Sequence, residues 1–466
     1  MKGVIVVGAG LAGSEAALTV ARLGGQVTLF DMKPGKRTPA HHSSCFAELV
    51  CSNSLKSNRP DTAQGLLKEE LRSLGSALLV VADETSVDAG GALAVDRALF
   101  STAVTQRIKS HPAIHVVERE IDSLESLLDE DHVVIVATGP LTSGKFYNSI
   151  QAFTGGDGLH FFDAAAPIID VSSIDMNHAF FASRYDKGGP DYINCPLSQQ
   201  EYITFREALV SAQRAPVQDF DALYFKDCQP IEVLAERGED TMRFGPLRPV
   251  GLIDPATGKR PYACLQLRKE DSEGTMWSPV GFQTRLTFSE QGRVFGLVPA
   301  LKQAIYHRYG VMHRNSFLNG PLVLKKGFRS QKNGGLFFAG QLSGLEGYVE
   351  AIASGLVAAI QAVGIAKGFR EEWLDALVPS SRTMIGALTA WVCQASSASF
   401  QPMNANFGLL PISHPERKIR KPERSEIRIA HSRAAIEETV LAIEDLLVSE
   451  SPNDCRFSYD AETGIR

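Results

Sequence analysis

The sequence predicts an α/β fold: a parallel-sheet domain, an inserted α+β domain and a mainly helical C-terminal part. Three observations predict it. The chain starts with an apolar strand, Gly-Val-Ile-Val-Val-Gly at 3–8, that turns through Gly8, Gly10 and Gly13 into an Ala-rich helix over 12–23. Strand, glycine turn and helix recur more than three hundred residues on, as Gly-Leu-Phe-Phe-Ala-Gly-Gln-Leu-Ser-Gly-Leu-Glu-Gly-Tyr-Val-Glu at 335–350. Between about 184 and 320 apolar runs shorten and aromatics and prolines rise, with Phe225, Phe244, Trp277 and Phe282 among short strand-like pieces.

The first segment has the context that a phosphate-binding turn requires. Gly8 permits the tight turn, Gly10 allows the backbone to approach a pyrophosphate, and Gly13 lets the helix pack close to the strand. The N–H groups and the dipole at the helix N-terminus favour negative charge there. A second strand over 26–30 ends in Asp31, close to the ~20-residue spacing at which a carboxylate takes ribose hydroxyls. An acid at that place argues against a 2′-phosphate, hence against NADP in this site. A long irregular stretch follows at 32–58, then helical patterns at 63–74 and 96–109 and strands at 114–118 and 132–137. The last strand runs into Ala137-Thr138-Gly139-Pro140, a strand-to-turn signal.

Two glycine segments at opposite ends of a chain suggest one dinucleotide gripped from both sides, as large flavoproteins hold FAD. The first domain is therefore read as a Rossmann-like FAD-binding domain of two-dinucleotide type. Its expected cofactor-binding residues are Gly8, Ala9, Gly10, Leu11, Ala12, Gly13 and Asp31, then Gly139, then Gly340, Gln341, Gly347 and Tyr348. The helix from Tyr348 would direct its N-terminus at the flavin ring, where positive potential stabilises an anionic reduced flavin. The expected organisation is FAD-binding domain, first part, over 1–183; an inserted substrate domain over 184–320; the second part with C-terminal helices over 321–450; and a flexible tail over 451–466.

Length and composition agree with two or three globular domains: 466 residues, 44% hydrophobic and 21% charged. No run of 18 apolar residues is evident and Met1-Lys2 leads straight into a core strand, so a cytoplasmic protein is expected. Seven cysteines are scattered without a Cys-x-x-Cys pair, which points to thiols and indicates neither a disulfide framework nor a metal site. Net charge is 47 − 53 = −6, so there is no global attraction for nucleic acid. The strongest basic stretch is 417–433, with smaller groups at Lys325-Lys326 with Arg329; a solvated face is the plainer reading of both.

Two cysteines carry candidate chemistry. Cys51 lies in Phe-Ala-Glu-Leu-Val-Cys-Ser-Asn-Ser-Leu-Lys-Ser, in the long loop, with polar neighbours and Lys56 to favour a thiolate. A buried structural cysteine is the equal alternative. Cys228 lies in Tyr-Phe-Lys-Asp-Cys-Gln-Pro-Ile-Glu, near Lys226 and ahead of a proline that implies a turn. His41 and His42 have no metal-ligand spacing and are read as packing on a cofactor or as a solvated pair.

Assembled, these segments resemble the bacterial folate- and FAD-dependent tRNA (uracil-5-)-methyltransferases, the TrmFO family. The resemblance covers nearly the whole chain. It rests on Gly-Ala-Gly-Leu-Ala-Gly-Ser-Glu-Ala-Ala (8–17), Thr-Pro-Ala-His-His (38–42), Ala-Glu-Leu-Val-Cys-Ser-Asn-Ser-Leu (47–55), Pro-Ile-Glu-Val-Leu-Ala (230–235), Met-Arg-Phe-Gly-Pro-Leu-Arg-Pro-Val-Gly-Leu (242–252) and Phe-Ala-Gly-Gln-Leu-Ser-Gly-Leu-Glu-Gly-Tyr-Val-Glu (338–350). Flavoproteins of the GidA/MnmG type share the two glycine segments. The resemblance implies methylation of C5 of the T-loop uridine in tRNA. It implies 5,10-methylenetetrahydrofolate as carbon donor, FAD as redox cofactor and NADH or NADPH as reductant. It implies Cys51 beside the flavin and Cys228 in the inserted domain as catalytic residues, with Cys228 the preferred nucleophile for uracil C6. Around Cys228 the chain departs from the family: Lys226-Asp227 and Gln229 replace a common Glu-Gly pair and Leu. The competing readings are a wobble-uridine flavoprotein, a small-molecule flavin oxidoreductase, and a non-catalytic FAD-bearing scaffold. Under the tRNA reading, 417–433, Lys325-Lys326 and Arg243 with Arg248 become candidate phosphate contacts.

Overall fold

In a computed structural model, which describes residues 1–38, 40–155, 159–164, 166–186, 189–215, 229–397, 400–411, 421–448, 459–460 and 464–465, Gly3–Val7 lies inside a seven-stranded sheet. Leu336–Phe338, His132–Val136, Gly3–Val7, Val27–Asp31 and Ile114–Glu118 run parallel in that order. Two short antiparallel strands, Arg329–Ser330 and Leu324–Lys325, extend one edge. The unbroken apolar runs at Val4 to Val7 and Val133 to Val136 are buried, as strands covered on both faces must be.

The helix Leu11–Arg22 follows the first strand, and Tyr348–Ala366 follows the last parallel one. They cross closely. A Cβ at Gly355 would lie 2.1 Å from the Ala12 carbonyl, so only glycine permits that approach. By length and composition Tyr348–Ala366 is apolar enough to cross a membrane, yet it is a core helix with nearly every residue buried. The strand Leu336–Phe338 pairs with His132–Val136, and this brings the second glycine segment to the same sheet edge as the first.

A second, six-stranded antiparallel sheet has its own core. Its order is Phe180–Phe181, Tyr192–Leu197, Ala263–Lys269, Met276–Pro279, Ile168–Asp170 and Tyr306–Arg308. Trp277, Phe205, Phe282 and Phe295 fill that core, whereas Phe244 is exposed and Phe225 lies outside the described residues. The sheet recruits Ile168–Asp170 from ahead of residue 184, through pairing with strands more than a hundred residues later. Composition does not signal such a non-local pairing. The chain enters and leaves this unit through two strands that pair with each other, Leu159–Ala164 and Met312–Phe317.

The irregular stretch after Asp31 ends in a short strand, Ser54–Ser57, that joins Ala92–Val95 and Ser86–Val87 in a small sheet. Two helices dominate the C-terminal part, Met384–Gln394 and Lys421–Val448. Glu70, buried on Ala63–Ser73, joins them by accepting from Met384 N–H, Ile385 N–H and the Ser432 hydroxyl. In the last residues Tyr459–Asp460 pairs with Gly464–Ile465.

Candidate functional site

A cavity of about 440 Å³ opens at the C-terminal edge of the parallel sheet, between the two sheets. That volume falls in the usual range for cofactor clefts, about 300–1,000 Å³, and the place is the one where open α/β sheets bind ligands. Gly8, Gly10, Leu11, Ala12 and Asp31 line it from the first segment, and Gly139 from the turn after His132–Val136. Gly340, Gln341, Gly347 and Tyr348 line it from the second. Ala9 and Gly13 are behind the wall. A Cβ at Gly13 would sit 1.8 Å from the Gly8 carbonyl, so this glycine serves helix-to-strand packing. At Gly10 a Cβ would meet nothing within 4 Å.

The donor set fits a dinucleotide. No side chain caps the helix Leu11–Arg22 and no acid lies in its first turn, so its N-terminus faces the cavity unopposed. Ala9 N–H at 2.7 Å and Lys33 N–H at 2.8 Å donate to the Asp31 carboxylate and orient it at the end of its strand. An ionised carboxylate has further acceptor sites for ribose hydroxyls. Gly8, Gly139, Gly340 and Gly347 all have positive φ, which spares the turns a side chain and its strain.

Cys51 lines the same cavity and is half-buried. Its loop is held from several sides. The Tyr348 hydroxyl accepts from Cys51 N–H at 2.6 Å and Ser52 N–H at 3.2 Å, joining the two glycine-bearing ends of the domain through the cysteine. Burial pushes the Tyr348 phenol above its usual range, and the nearby Cys51 adds to this, so it stays a neutral hydroxyl. Arg97 donates to the Leu49 carbonyl at 3.1 Å and reaches the Cys51 carbonyl at 3.4 Å. Lys56, expected from sequence to favour the thiolate, lies 4.0 Å from Glu350.

Asn53 ties the loop to the second sheet. It donates to the Val95 and Lys269 carbonyls and accepts from Arg268 at 2.9 Å. Glu270, fully buried at the end of Ala263–Lys269, pairs with Arg97 at 2.7 Å and Arg268 at 3.4 Å. Burial alone would raise its carboxyl; Arg97, Arg268 and the Ser278 hydroxyl override that and hold it below the usual carboxylate range. Sequence reasoning missed Asn53, Arg97, Arg268 and Glu270. Arg97 and Glu270 are 173 positions apart, and no local pattern links them.

The remaining expected residues fall as follows. Thr38 bonds the His41 ring, which lines the cavity, and burial lowers the pKa of that ring. His42 is exposed, with its N–H bound by Glu48. Cys228 lies outside the described residues. Next to it Gln229 is buried, and Ile231 N–H donates to the carbonyl of Gln283, a cavity residue. Lys325 and Arg329 pair with Glu371, and Lys326 bonds the Asp375 carbonyl, so this basic group is engaged by its own helix neighbours. Arg243 is held by Asp240 and stacks on Tyr262, whereas Arg248 is exposed. Of the 417–433 stretch, residues 417–420 lie outside the described residues, and Arg433 pairs with Glu69.

The parallel sheet with two glycine turns lining one cavity, beside an antiparallel domain, defines a dinucleotide-binding protein of the flavoprotein class. The sequence profile of the glucose inhibited division protein A family matches residues 3–370. A methylenetetrahydrofolate–tRNA-(uracil-5-)-methyltransferase TrmFO of Enterococcus faecalis is 51% identical over 426 residues, 91% of this chain and 95% of that protein. The protein of the same name from Acetivibrio thermocellus is 53% identical over 406 residues, 87% of this chain and 91% of its own. The chain belongs to the glucose inhibited division protein A family and, within it, to the TrmFO proteins. Among solved structures, Aquifex aeolicus GidA superposes with a TM-score of 0.66 over 96% of this chain and 74% of its own, at 16% identity, which shows a shared fold.

Proposed function

We propose that the protein methylates C5 of the T-loop uridine of tRNA, with 5,10-methylenetetrahydrofolate as carbon donor and NADH or NADPH as reductant through FAD. The observation that carries this reading is the Cys51 thiol on the wall of the cavity that both glycine segments line. Relatives about half identical over some nine tenths of the chain bear a name that states this reaction. Gly8, Gly10 and the N-terminus of Leu11–Arg22 would hold the pyrophosphate of FAD, Asp31 its ribose, and Gly340 to Tyr348 its ring. When bound, FAD supplies a ring that takes up and returns reducing equivalents and can carry a one-carbon unit.

The protein's residues have distinct tasks in this reading. Uracil C5 is a poor nucleophile until a group adds at C6. Cys228 is assigned that addition, and Cys51 the shielding of the carbon unit or proton transfer at C5. Tyr348 holds the Cys51 peptide in place, and Pro279 and Val280 give the cavity an apolar wall suited to a base turned out of its stack. Phosphate contacts fall to exposed cations such as Arg248 and Arg424. The reaction is placed in the cytoplasm.

The test is an assay with T-loop-unmodified tRNA, methylene-labelled 5,10-methylenetetrahydrofolate and NADH or NADPH. Label should enter the T-loop uridine and be lost in Cys228→Ala. Absence of label from tRNA with FAD-replete protein would overturn the activity. Undiminished transfer by Cys228→Ala would overturn only the choice of nucleophile.

A further inference from the structure

Guanidinium groups from two domains meet at the peptide that carries Cys51. Arg97 comes from the helix Arg97–Lys109 of the cofactor domain, and Arg308 from the strand Tyr306–Arg308 of the second sheet. Both point at the Cys51 carbonyl, at 3.4 Å and 3.5 Å. These contacts are long, so they matter as placed charges more than as hydrogen bonds. Arg308 is the unusual member. Its Nε is buried without a hydrogen-bond partner, and among the described residues it forms no ion pair within 4.0 Å, Glu270 being engaged by Arg97 and Arg268.

The charges facing the loop from each packed element are Arg97, Arg308, Arg268 and Glu270, with Lys56 and Glu350 paired beside it. The Tyr348 phenol is neutral. Three cations thus surround one carboxylate next to the loop. Burial disfavours the charge on Arg308 and repulsion from Arg97 adds to that, whereas the Glu270 carboxylate acts the other way. A buried excess of positive charge is stabilised by an anion close by, and the ionisable side chain on the peptide that both guanidinium groups approach is the Cys51 thiol.

We propose that Arg308, brought by the inserted domain, acts with Arg97 as a positioning residue that holds Cys51 as a thiolate. The thiol proton leaves to solvent and sulfur keeps the electron pair. The cysteine is thereby activated only when the two domains are docked as they are here. This rests on the reading of Cys51 as a working residue of the site, but its test requires neither tRNA nor folate.

The test is the pH dependence of Cys51 alkylation by iodoacetamide in the FAD-bound protein. Chymotryptic mapping, which cuts after Phe46, separates Cys51 from Cys45. In the wild type, the Cys51 profile should have its midpoint below that of the same cysteine in the urea-unfolded chain. Arg308→Gln should move the midpoint up by about one pH unit or more, the scale expected for losing an opposite charge nearby, and Arg308→Lys should keep it near wild type. A wild-type midpoint at or above the unfolded value overturns the proposal even if no variant folds. So does an Arg308→Gln profile that matches wild type, or a lysine variant shifted as far as the glutamine one. Failed label transfer to tRNA alongside a low Cys51 midpoint would sink the methyltransferase reading and leave the thiolate standing.

Discussion

Removing the Tyr348 hydroxyl tests whether the cofactor helix holds the Cys51 loop. Tyr348→Phe keeps the ring and its packing and deletes one oxygen, the acceptor for Cys51 N–H at 2.6 Å and Ser52 N–H at 3.2 Å. A buried donor left without an acceptor costs about 1–3 kcal/mol. The bond from Cys51 is the shorter of the two and should carry most of the effect. The sum is about 2 kcal/mol for the closed loop. At 1.4 kcal/mol per factor of ten, that raises its opening equilibrium about thirtyfold.

Amide hydrogen exchange reads this directly, because the amides at stake are those that exchange. Peptides covering Cys51 and Ser52 should lose roughly thirtyfold protection in Tyr348→Phe, while peptides from the buried strand Val27–Asp31 keep theirs. Protection at Cys51 within about threefold of wild type would refute the reasoning, since it would mean that Arg97, Asn53 and Arg308 hold the loop without the phenol.

Two further perturbations separate ligand binding from folding. Gly10→Ala adds a methyl into open space at φ −73°, so thermal stability without FAD should stay within about a degree while FAD binding weakens. Gly13→Ala drives its Cβ to 1.8 Å from the Gly8 carbonyl, so it should lower the melting temperature whether or not FAD is present; equal effects of the two would undo the division of roles. Glu70 offers a pH test. Burial pushes its carboxyl up to about 7, with the Ser432, Met384 and Ile385 donors only partly offsetting this. The folded state therefore binds more protons than the unfolded one between the ordinary value of 4.5 and about 7, and stability falls as pH rises across that window. The loss attributable to the residue is about 3 kcal/mol. Glu70→Gln should gain on wild type in melting temperature from pH 5 to 7, and a difference independent of pH would count against the shift.

The parallel domain was legible because its signals are local. A strand, a glycine turn and an amphipathic helix each declare themselves within a dozen residues, and the expected helices over 63–74 and 96–109 fall on Ala63–Ser73 and Arg97–Lys109. The second sheet was less legible for the opposite reason. Its strands are short and pair across long sequence gaps, as when Ile169 sits between Trp277 and Tyr306. Nothing around Ile168–Asp170 distinguishes it from a loop until its partners are known. The sequence reading carries no helix over Ala77–Glu84, although Ser76 caps it and its apolar residues Leu78, Leu79, Val81 and Ala82 are buried.

The candidate site divides along the same line. Glycines and Asp31 could be read because backbone geometry demands particular residue types at fixed spacing. The groups that hold Cys51 could not be read. Arg97, Arg268 and Glu270 satisfy one another across two domains, and each alone looks like a solvated charge. Asn53 shows why this matters for function. Its amide bonds the Val95 carbonyl on one side and the Lys269 carbonyl on the other, so the cysteine loop spans the seam between sheets. A loop so placed cannot reach its final geometry until the inserted domain has folded and docked. The expected cofactor-binding residues come from the first domain, but the charges around Cys51 come from both. An isolated FAD-binding half would therefore keep its dinucleotide turn and lose the surroundings of its thiol.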